Sequence, residues 1–374
     1  MITTEIPFME QKKILSVVGA RPNFIKIAPI DKAFRKYGKA VSHKICHTGQ
    51  HFDECMSKVF FEDLKMPKPA FYLGVGGGSH ASQTARIMLE LEEVFKEEKP
   101  DLVIVPGDVN STLAAALVAS KMGIPIAHVE AGLRSFDKTM PEEINRIMTD
   151  VVSEYLFITE HSAMRNLRDE GVDNDKIHFV GNTMIDTLEA HYDLIEECSV
   201  TKDMKLKQGG YILATFHRPT NVDEKENLAP LMETLGRLAG ERTVVFPVHP
   251  RTRKRLVEFG LDKAIPKNLV LTQPLGYIEF LSLMRYAELV ITDSGGIQEE
   301  TTYLNVQCIT VRKNTERPVT MDVGTNHLVG TDLEKVEKTA LDILGGITKP
   351  GRIPEMWDGK AAKRIAAIIM EEED

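Results

Sequence analysis

Cysteine is scarce in this chain, and the four present, Cys46, Cys55, Cys198 and Cys308, are scattered with no C-x-x-C pair. No zinc-ligand spacing and no signal peptide accompany them, which predicts reduced, mostly buried thiols in a cytoplasmic protein. Long apolar runs are missing too. None reaches the roughly 20 residues that a bilayer-spanning helix needs. Positive charge is in deficit, and a net charge of -9 argues against nonspecific binding to nucleic acid or an anionic membrane. Local cations can still dominate a ligand cleft. The common nucleotide fingerprints are absent as well. The first βα turn lacks G-x-G-x-x-G, and the glycine loop 74–79 is not followed by the Gly-Lys-Ser/Thr of a phosphate-binding P-loop. No nicotinamide, flavin or pyridoxal motif appears.

What is present is an alternation. A composition of 43% hydrophobic and 27% charged residues is that of an ordinary globular protein, and 374 residues exceed one comfortable core, so two domains are expected. Short β-branched runs such as Lys13–Val18, Asp101–Val105, Ile124–Val129, Tyr211–Phe216, Thr243–Val248 and Ala287–Ile291 read as buried parallel strands, each followed by a helical stretch. Both halves are βα repeats, which predicts two Rossmann-like, doubly wound domains with the active site in the cleft between them. The acidic, then lysine-rich run from about Ile185 to Gly210 marks the boundary. The first domain is expected over 1–185, with a C-terminal helix at about 358–374 packing back on it, and the second over 186–357. Residues before Lys12 read as a short, weakly structured leader.

The stretch from Thr292 to Glu300, Thr-Asp-Ser-Gly-Gly-Ile-Gln-Glu-Glu, is the point around which the rest is organised. It follows a strand, carries two glycines, and offers Ser294 as the cap of a helix. That geometry presents free backbone N–H groups and a positive dipole end to a phosphate. The plainer reading is a tight βα turn. Glu299 and Glu300 lie one turn on, within reach of a ribose hydroxyl.

Charged residues collect at the other strand ends. The first turn supplies Arg21 and Lys26; Asp108 and Glu130 end two further strands, with helix capping and loop hydrogen bonding as their alternatives. In the helix opening at Pro141, Ile144, Ile147, Met148, Val151 and Val152 recur at helical spacing and are expected to form its core face. Glu142 and Glu143 then serve either the helix dipole or the site. His43, His47 and His51 flank one glycine turn, but no carboxylate completes a metal-ligand set.

Taken together, these motifs resemble the non-hydrolysing UDP-N-acetylglucosamine 2-epimerases, which have the two-domain GT-B fold. The residues concerned are Gly19–Lys26, Gly107-Asp108, His128–Arg134, Met140–Arg146, Phe216–Pro219, Val248–Arg251, Asp293–Glu300 and Asn314–Pro318, in the family's order over nearly the whole chain. The resemblance implies anti elimination of UDP to a 2-acetamidoglucal and re-addition with inversion at C2, without metal or other cofactor. It implies Asp108, Glu130 and Glu142 as catalytic carboxylates, with Glu142 rather than Glu143 matching the third, and leaves open which acid serves which face. His217 joins the catalytic group and, with Arg21, Ser294, Gly295 and Gly296, matches the phosphate contacts. Lys26 matches a further active-site cation, Phe280 the neighbour of uracil, Glu300 the ribose ligand, and Arg317 a contact near sugar and phosphates. A UDP-sugar substrate, a homodimer, a cytoplasmic location and a role in surface polysaccharide synthesis follow from the same resemblance.

The chain departs from the family pattern in places. Members activated by a second substrate molecule often carry Pro-Gly-Gln where this chain has Gly76-Gly77-Gly78-Ser79, and a glutamine where it has Lys58. Allosteric activation is therefore in doubt. Leu275 replaces a glutamine found at the uridine end of some members. The rival readings are a 2-epimerase of UDP-diacetamido-glucuronate, disfavoured by Thr315-Glu316-Arg317-Pro318, a hydrolysing epimerase, a GT-B glycosyltransferase, and a silent nucleotide-sugar sensor.

Overall fold

The computed structural model describes residues 11–50, 64, 66–263 and 265–371; the leader before Gln11, His51, Cys55 and Lys58 lie outside the described residues. The chain divides into two compact units, Met1–Thr187 with Asp358–Asp374, and Leu188–Trp357.

The first unit contains β1 (Lys12–Val18), α1 (Arg21–Phe34), β2 (Val41–His47), β3 (Phe71–Tyr72), α2 (His80–Glu98), β4 (Leu102–Pro106), α3 (Asn110–Lys121), β5 (Ile126–Val129), α4 (Pro141–Val152), β6 (Tyr155–Ile158), α5 (His161–Asp169), β7 (Ile177–Phe179) and α6 (Thr183–Ala190). Its seven strands are all parallel, in the order β3-β2-β1-β4-β5-β6-β7. The strands carry apolar residues on both faces because helices cover both, and every residue of β4 is buried. Leu15, Val17, Val103 and Val105 pack against Ile87, Leu91 and Phe95 of α2 and the alanines of α3. Sequence order reverses between β1 and β4, which pair through Ile14↔Leu102 and Leu15↔Val103. The loops leaving the carboxyl ends of these two strands diverge to opposite faces and open the crevice in which such sheets bind ligands.

The second unit contains α7 (Lys225–Leu238), α8 (Pro250–Glu258), α9 (Tyr277–Arg285), α10 (Gly295–Leu304) and α11 (Leu333–Leu344) around a second parallel sheet. Its strands are β8 (Tyr211–Thr215), β9 (Thr243–Pro247), β10 (Leu269–Thr272), β11 (Leu289–Thr292), β12 (Gln307–Thr310) and β13 (Asn326–Leu328), in the order β10-β9-β8-β11-β12-β13. The reversal here falls between β8 and β11, which pair from Leu289↔Ile212 to Thr292↔Thr215. Both units are thus doubly wound α/β sheets, as the sequence predicts. Beyond the second unit, α12 (Ala361–Ile369) packs on α1, and its first amides, Ala361 and Ala362, donate to the Asp186 carboxylate at 3.1 and 2.7 Å.

One sequence expectation is overturned. In α4 only Ile147 and Val152 of the five expected residues are even half-buried, Val152 against the core; Ile144, Met148 and Val151 are 43%, 41% and 72% exposed, whereas Glu143, Asn145, Arg146, Thr149 and Asp150 are buried. Helical spacing correctly separates two faces, but periodicity cannot say which one turns inward. The polar face is buried because its groups satisfy one another and the strand-end loops, so little is left unpaired. Cys46 and Cys308 are buried free thiols, with burial pushing them up to about 12 and about 11. Cys198 is free and half-buried.

Candidate active site

At the end of β1, Asn23 stitches the first turn together. Its side-chain oxygen accepts from the Gly19 and Ala20 amides at 3.0 and 3.1 Å, and its amide donates to the Pro106 carbonyl at the end of β4. Arg21 therefore sits half-buried at the first position of α1. One turn on, Lys26 is 4% exposed and forms a salt bridge with Glu130, itself 5% exposed. Glu130 has a left-handed backbone (φ +74°), a costly conformation for a non-glycine residue that tends to occur at functional sites. Gly107 is likewise left-handed (φ +67°), and a Cβ there would stand 3.0 Å from the Lys26 ammonium. A side chain at 107 would press on the Lys26–Glu130 pair, so glycine is required next to Asp108.

Asp108 is held from α4. Arg146, 2% exposed, donates one nitrogen to its carboxylate and others to Glu143, while Asn145 donates to the Asp108 carbonyl at 2.8 Å. Glu143 is spent structurally. Its oxygens accept from the Ser135 and Phe136 amides at 2.9 and 2.8 Å as well as from Arg146. Burial works against its ionisation, but these donors more than offset that and keep its carboxyl below the usual range. Glu142 is half-buried, and its side chain makes no hydrogen bond among the described residues. The two neighbouring acids therefore differ in kind: one is locked into the loop and the other is open to a ligand.

The loops after β4 and β5 are fixed by a buried chain. His128 contacts the Gly107 carbonyl through Nε2 at 2.7 Å and the Asp150 carboxylate through Nδ1 at 2.6 Å; Asp150 also takes Arg134 and the Gly132 amide. Burial opposes the ionisation of Asp150 too, and the flanking His128 and Arg134 reverse the balance. Nothing in the sequence pattern singled out Arg146, Asp150 or Asn23 individually. The signal available was indirect: charged residues at i, i+4 on the polar side of α4. The histidines near the glycine turn have structural partners. His43 sits between Asp31 (2.9 Å) and Ser16 (2.8 Å), and His47 accepts from the Gly49 amide.

In the second unit, β11 leads into Asp293, fully buried at 0% exposure. It accepts from the His217 and Arg218 amides and from the Asn221 side chain, and it contacts His217 Nδ1 at 3.1 Å. Burial disfavours its charge, but His217 and Asn221 more than compensate and hold its carboxyl below the usual range. His217 itself is 47% exposed. A buried carboxylate behind an accessible imidazole fixes the ring's orientation and leaves the far nitrogen for a ligand. Ser294 occupies the cap position of α10 without a side-chain cap bond, so its hydroxyl does not take up the helix's first N–H groups. Gly296 follows in that first turn.

Gly295 has a different constraint from the one its motif suggests. A Cβ there would lie 2.7 Å from an Arg317 nitrogen and 2.8 Å from a Glu316 oxygen. Arg317 is 5% exposed and is held by Glu316 and, at 3.1 Å, by Glu299; Arg312 braces Glu316 from behind. The glycine thus brings a guanidinium against the helix N-terminus, and two positive features converge there. Glu299 is committed to Arg317, whereas Glu300, 4% exposed, lies within 3.5 Å of the Tyr277 hydroxyl. Half-buried Phe280 stands on the same helix as Tyr277, so the residues expected near uracil and ribose share one neighbourhood.

The first unit brings carboxylates to two strand ends, and the second presents a helix N-terminus beside an accessible imidazole. The family model described as UDP-N-acetylglucosamine 2-epimerase matches residues 33–370. The UDP-N-acetylglucosamine 2-epimerase of Methanocaldococcus jannaschii is 44% identical over 364 residues, 96% of this chain and 98% of that one. Its crystal structure in complex with UDP-GlcNAc and UDP superposes with a TM-score of 0.89, covering 96% of this chain and 99% of that one. The UDP-2,3-diacetamido-2,3-dideoxy-D-glucuronate 2-epimerase of Pseudomonas aeruginosa is 42% identical over 362 residues, 96% and 99% of the two chains. With the match running almost end to end in sequence and in fold, the chain belongs to the UDP-N-acetylglucosamine 2-epimerase family.

Proposed function

We propose that this chain interconverts UDP-N-acetylglucosamine and UDP-N-acetylmannosamine. The C2 proton passes to a carboxylate while the C1–O bond breaks, UDP leaving with the electron pair, to give 2-acetamidoglucal. UDP then re-adds at C1 while C2 takes a proton on the opposite face. The observation that carries this reading is the grouping of Asp108, Glu130 and Glu142 in one unit, two of them backed by buried cations. Proton removal and return on opposite faces calls for two acid/base groups, and the third carboxylate stabilises positive charge developing at C1. Arg21, His217, Ser294, Gly295, Gly296 and Arg317 would hold the diphosphate, with Lys26 fixing Glu130. Glu300 would take the ribose and Phe280 the uracil.

The 42% identity to the diacetamido-glucuronate epimerase favours a second reading, in which the sugar carries a second acetamido group and a carboxylate. The test is proton NMR of the enzyme in D2O with each nucleotide sugar in turn, without added metal or nicotinamide. UDP-N-acetylmannosamine carrying deuterium at C2 is the expected product. Turnover of the acidic sugar alone would replace the first reading with the second, and product retaining its original hydrogen would overturn the exchange mechanism.

The chain is further proposed to act in the cytoplasm, where nucleotide sugars are available, to supply a surface polysaccharide, and to work as a homodimer. The dimer is supported by the exposed apolar residues Ile144, Met148 and Val151 of α4, which packs on α3, and by exposed Leu89 of α2, which packs on the same helix. Light scattering that returned a monomer mass at assay concentration would remove the dimer.

A further inference from the structure

Phe136 combines two locally unfavourable features. Its backbone lies in the left-handed region at φ +58°, which bulky residues rarely adopt. Its side chain is 78% exposed although Arg134 and Ser135 just before it are buried. The loop does not drift into this state; it is clamped. The Ser135 and Phe136 amides both donate to Glu143, and the same carboxylate is gripped by Arg146, whose remaining nitrogen binds Asp108. One buried arginine therefore ties the exposed ring to a carboxylate assigned to chemistry at the sugar. The ring belongs to neither of the unit's core clusters formed by the described residues. A strained backbone that displays an aromatic ring on a loop clamped through Glu143 and Arg146 to Asp108 persists because surrounding structure over-determines it, and such strain concentrates where ligands bind.

We infer that Phe136 is a sugar-contacting residue: its ring packs on the apolar C–H face of the hexosamine and sets C1 and C2 against Asp108, with Glu143 and Arg146 as positioning residues. This deepens the epimerase reading and rests on it. An aromatic ring provides a large, rigid surface with little conformational freedom to lose, which suits the placement of a pyranose that must present both faces of C2 in turn. The contact is with the sugar and not with UDP, so the two should separate in measurement.

The test is steady-state kinetics of wild type, Phe136→Ala, Phe136→Gly and Phe136→Tyr on UDP-N-acetylglucosamine, with UDP affinity by calorimetry and thermal melting of each. Alanine and glycine are expected to lower kcat/KM by roughly 10- to 100-fold while UDP affinity stays within about twofold, and tyrosine to recover most of the loss. Phe136→Gly should melt at or above the wild-type temperature, because glycine adopts this backbone without strain. Glu143→Gln should lower kcat/KM as well, and its combination with Phe136→Ala should cost less than the product of the two, since both act through one loop. Kinetics of Phe136→Ala within twofold of wild type would overturn the inference. So would an equal fall in UDP affinity, or a loss of activity that tracks a change in oligomeric mass and is restored at high protein concentration. A wild-type enzyme inactive on every nucleotide sugar is a separate outcome, and it strikes the epimerase reading itself.

Discussion

The two units solve the same electrostatic problem with opposite polarity. In the first, the acid is the more accessible partner at the β4 end, where the Asp108 side chain is 25% exposed against 2% for Arg146, while Lys26 and Glu130 are buried together. In the second, the accessible partner is the imidazole: the His217 side chain is 47% exposed against 0% for Asp293, while Arg317 is buried together with Glu316 and Glu299. Leaving a buried charge unpaired costs several kcal/mol, so each working group needs a buried counter-charge. The sign left facing outward then decides the chemistry. Carboxylates at the β4 and β5 ends suit proton transfer at carbon; an imidazole, a guanidinium and a helix N-terminus suit a diphosphate. On the proposed function, one fold, doubled, yields a base-bearing half and an anion-binding half.

The comparison can be broken at its acid side first. Asp108→Asn should lower turnover by about 10^2- to 10^4-fold while UDP affinity changes less than about threefold, because the loss falls on proton transfer or charge stabilisation and not on the nucleotide. Parallel calorimetry and C2 hydrogen-exchange rates check this; a matching collapse of UDP binding would show that the halves are not divided in this way. The next effect lies on the anion side. Gly295→Ala places a methyl 2.7 Å from a guanidinium that two carboxylates pin, so Arg317 cannot simply swing aside. UDP affinity should fall about 10-fold or more, by roughly 1.4 kcal/mol per factor of ten. Retention of wild-type affinity would mean that Arg317 has no part in the nucleotide site.

The smallest effect sharpens the contrast through pH. Glu143, Asp150 and Asp293 are held below the usual carboxylate range, so the stability they contribute is present above their unfolded values and lost as the pH falls through their folded ones. Asp186 runs the other way. Burial is the main cause, outweighing the amides of Ala361 and Ala362 at the start of α12, and its carboxyl is raised to about 6. With a folded value above the unfolded one, its contribution is fully present at low pH and is lost as the pH rises from about 4 to about 6. The melting-temperature difference between Asp186→Asn and wild type should therefore grow more positive across that window, by on the order of 2–3 kcal/mol of stability at most. A difference that stays flat with pH would mean Asp186 is not buried and charged as described.

Much of the architecture was legible because it rests on short-range pattern. Lys13–Val18 and Ala287–Ile291 are too apolar to be anything but strands covered on both faces, and parallel strands separated by helices leave few topologies. Strand ends were legible for the same reason, so Asp108, Glu130, His217 and Ser294 could be placed there by position, while the roles proposed for them came from the family resemblance. Helix starts were less so: α2 begins at His80, where the Ser79 hydroxyl accepts from the Ser82 amide, and α3 at Asn110 with no side-chain cap. The orientation of α4 was misread, since Ile144, Met148 and Val151 look like a core face until the polar partners of Glu143, Arg146 and Asp150 are known. Those partners, Ser135, Asp108 and His128, lie 8, 38 and 22 residues away.

By itself, then, the sequence determined two doubly wound α/β units and the kinds of charge that gather at their strand ends, because periodicity and strand–turn–helix chemistry are local. Only the tertiary structure decided which charges are committed to partners and which are left open. Glu143 and Glu142 are adjacent and chemically identical, yet one is consumed by two amides and an arginine while the other is left open. Gly295 reads as a phosphate-loop glycine, yet its missing Cβ makes room for Arg317. Such distinctions depend on contacts between segments far apart in the chain, whose energies no local pattern encodes.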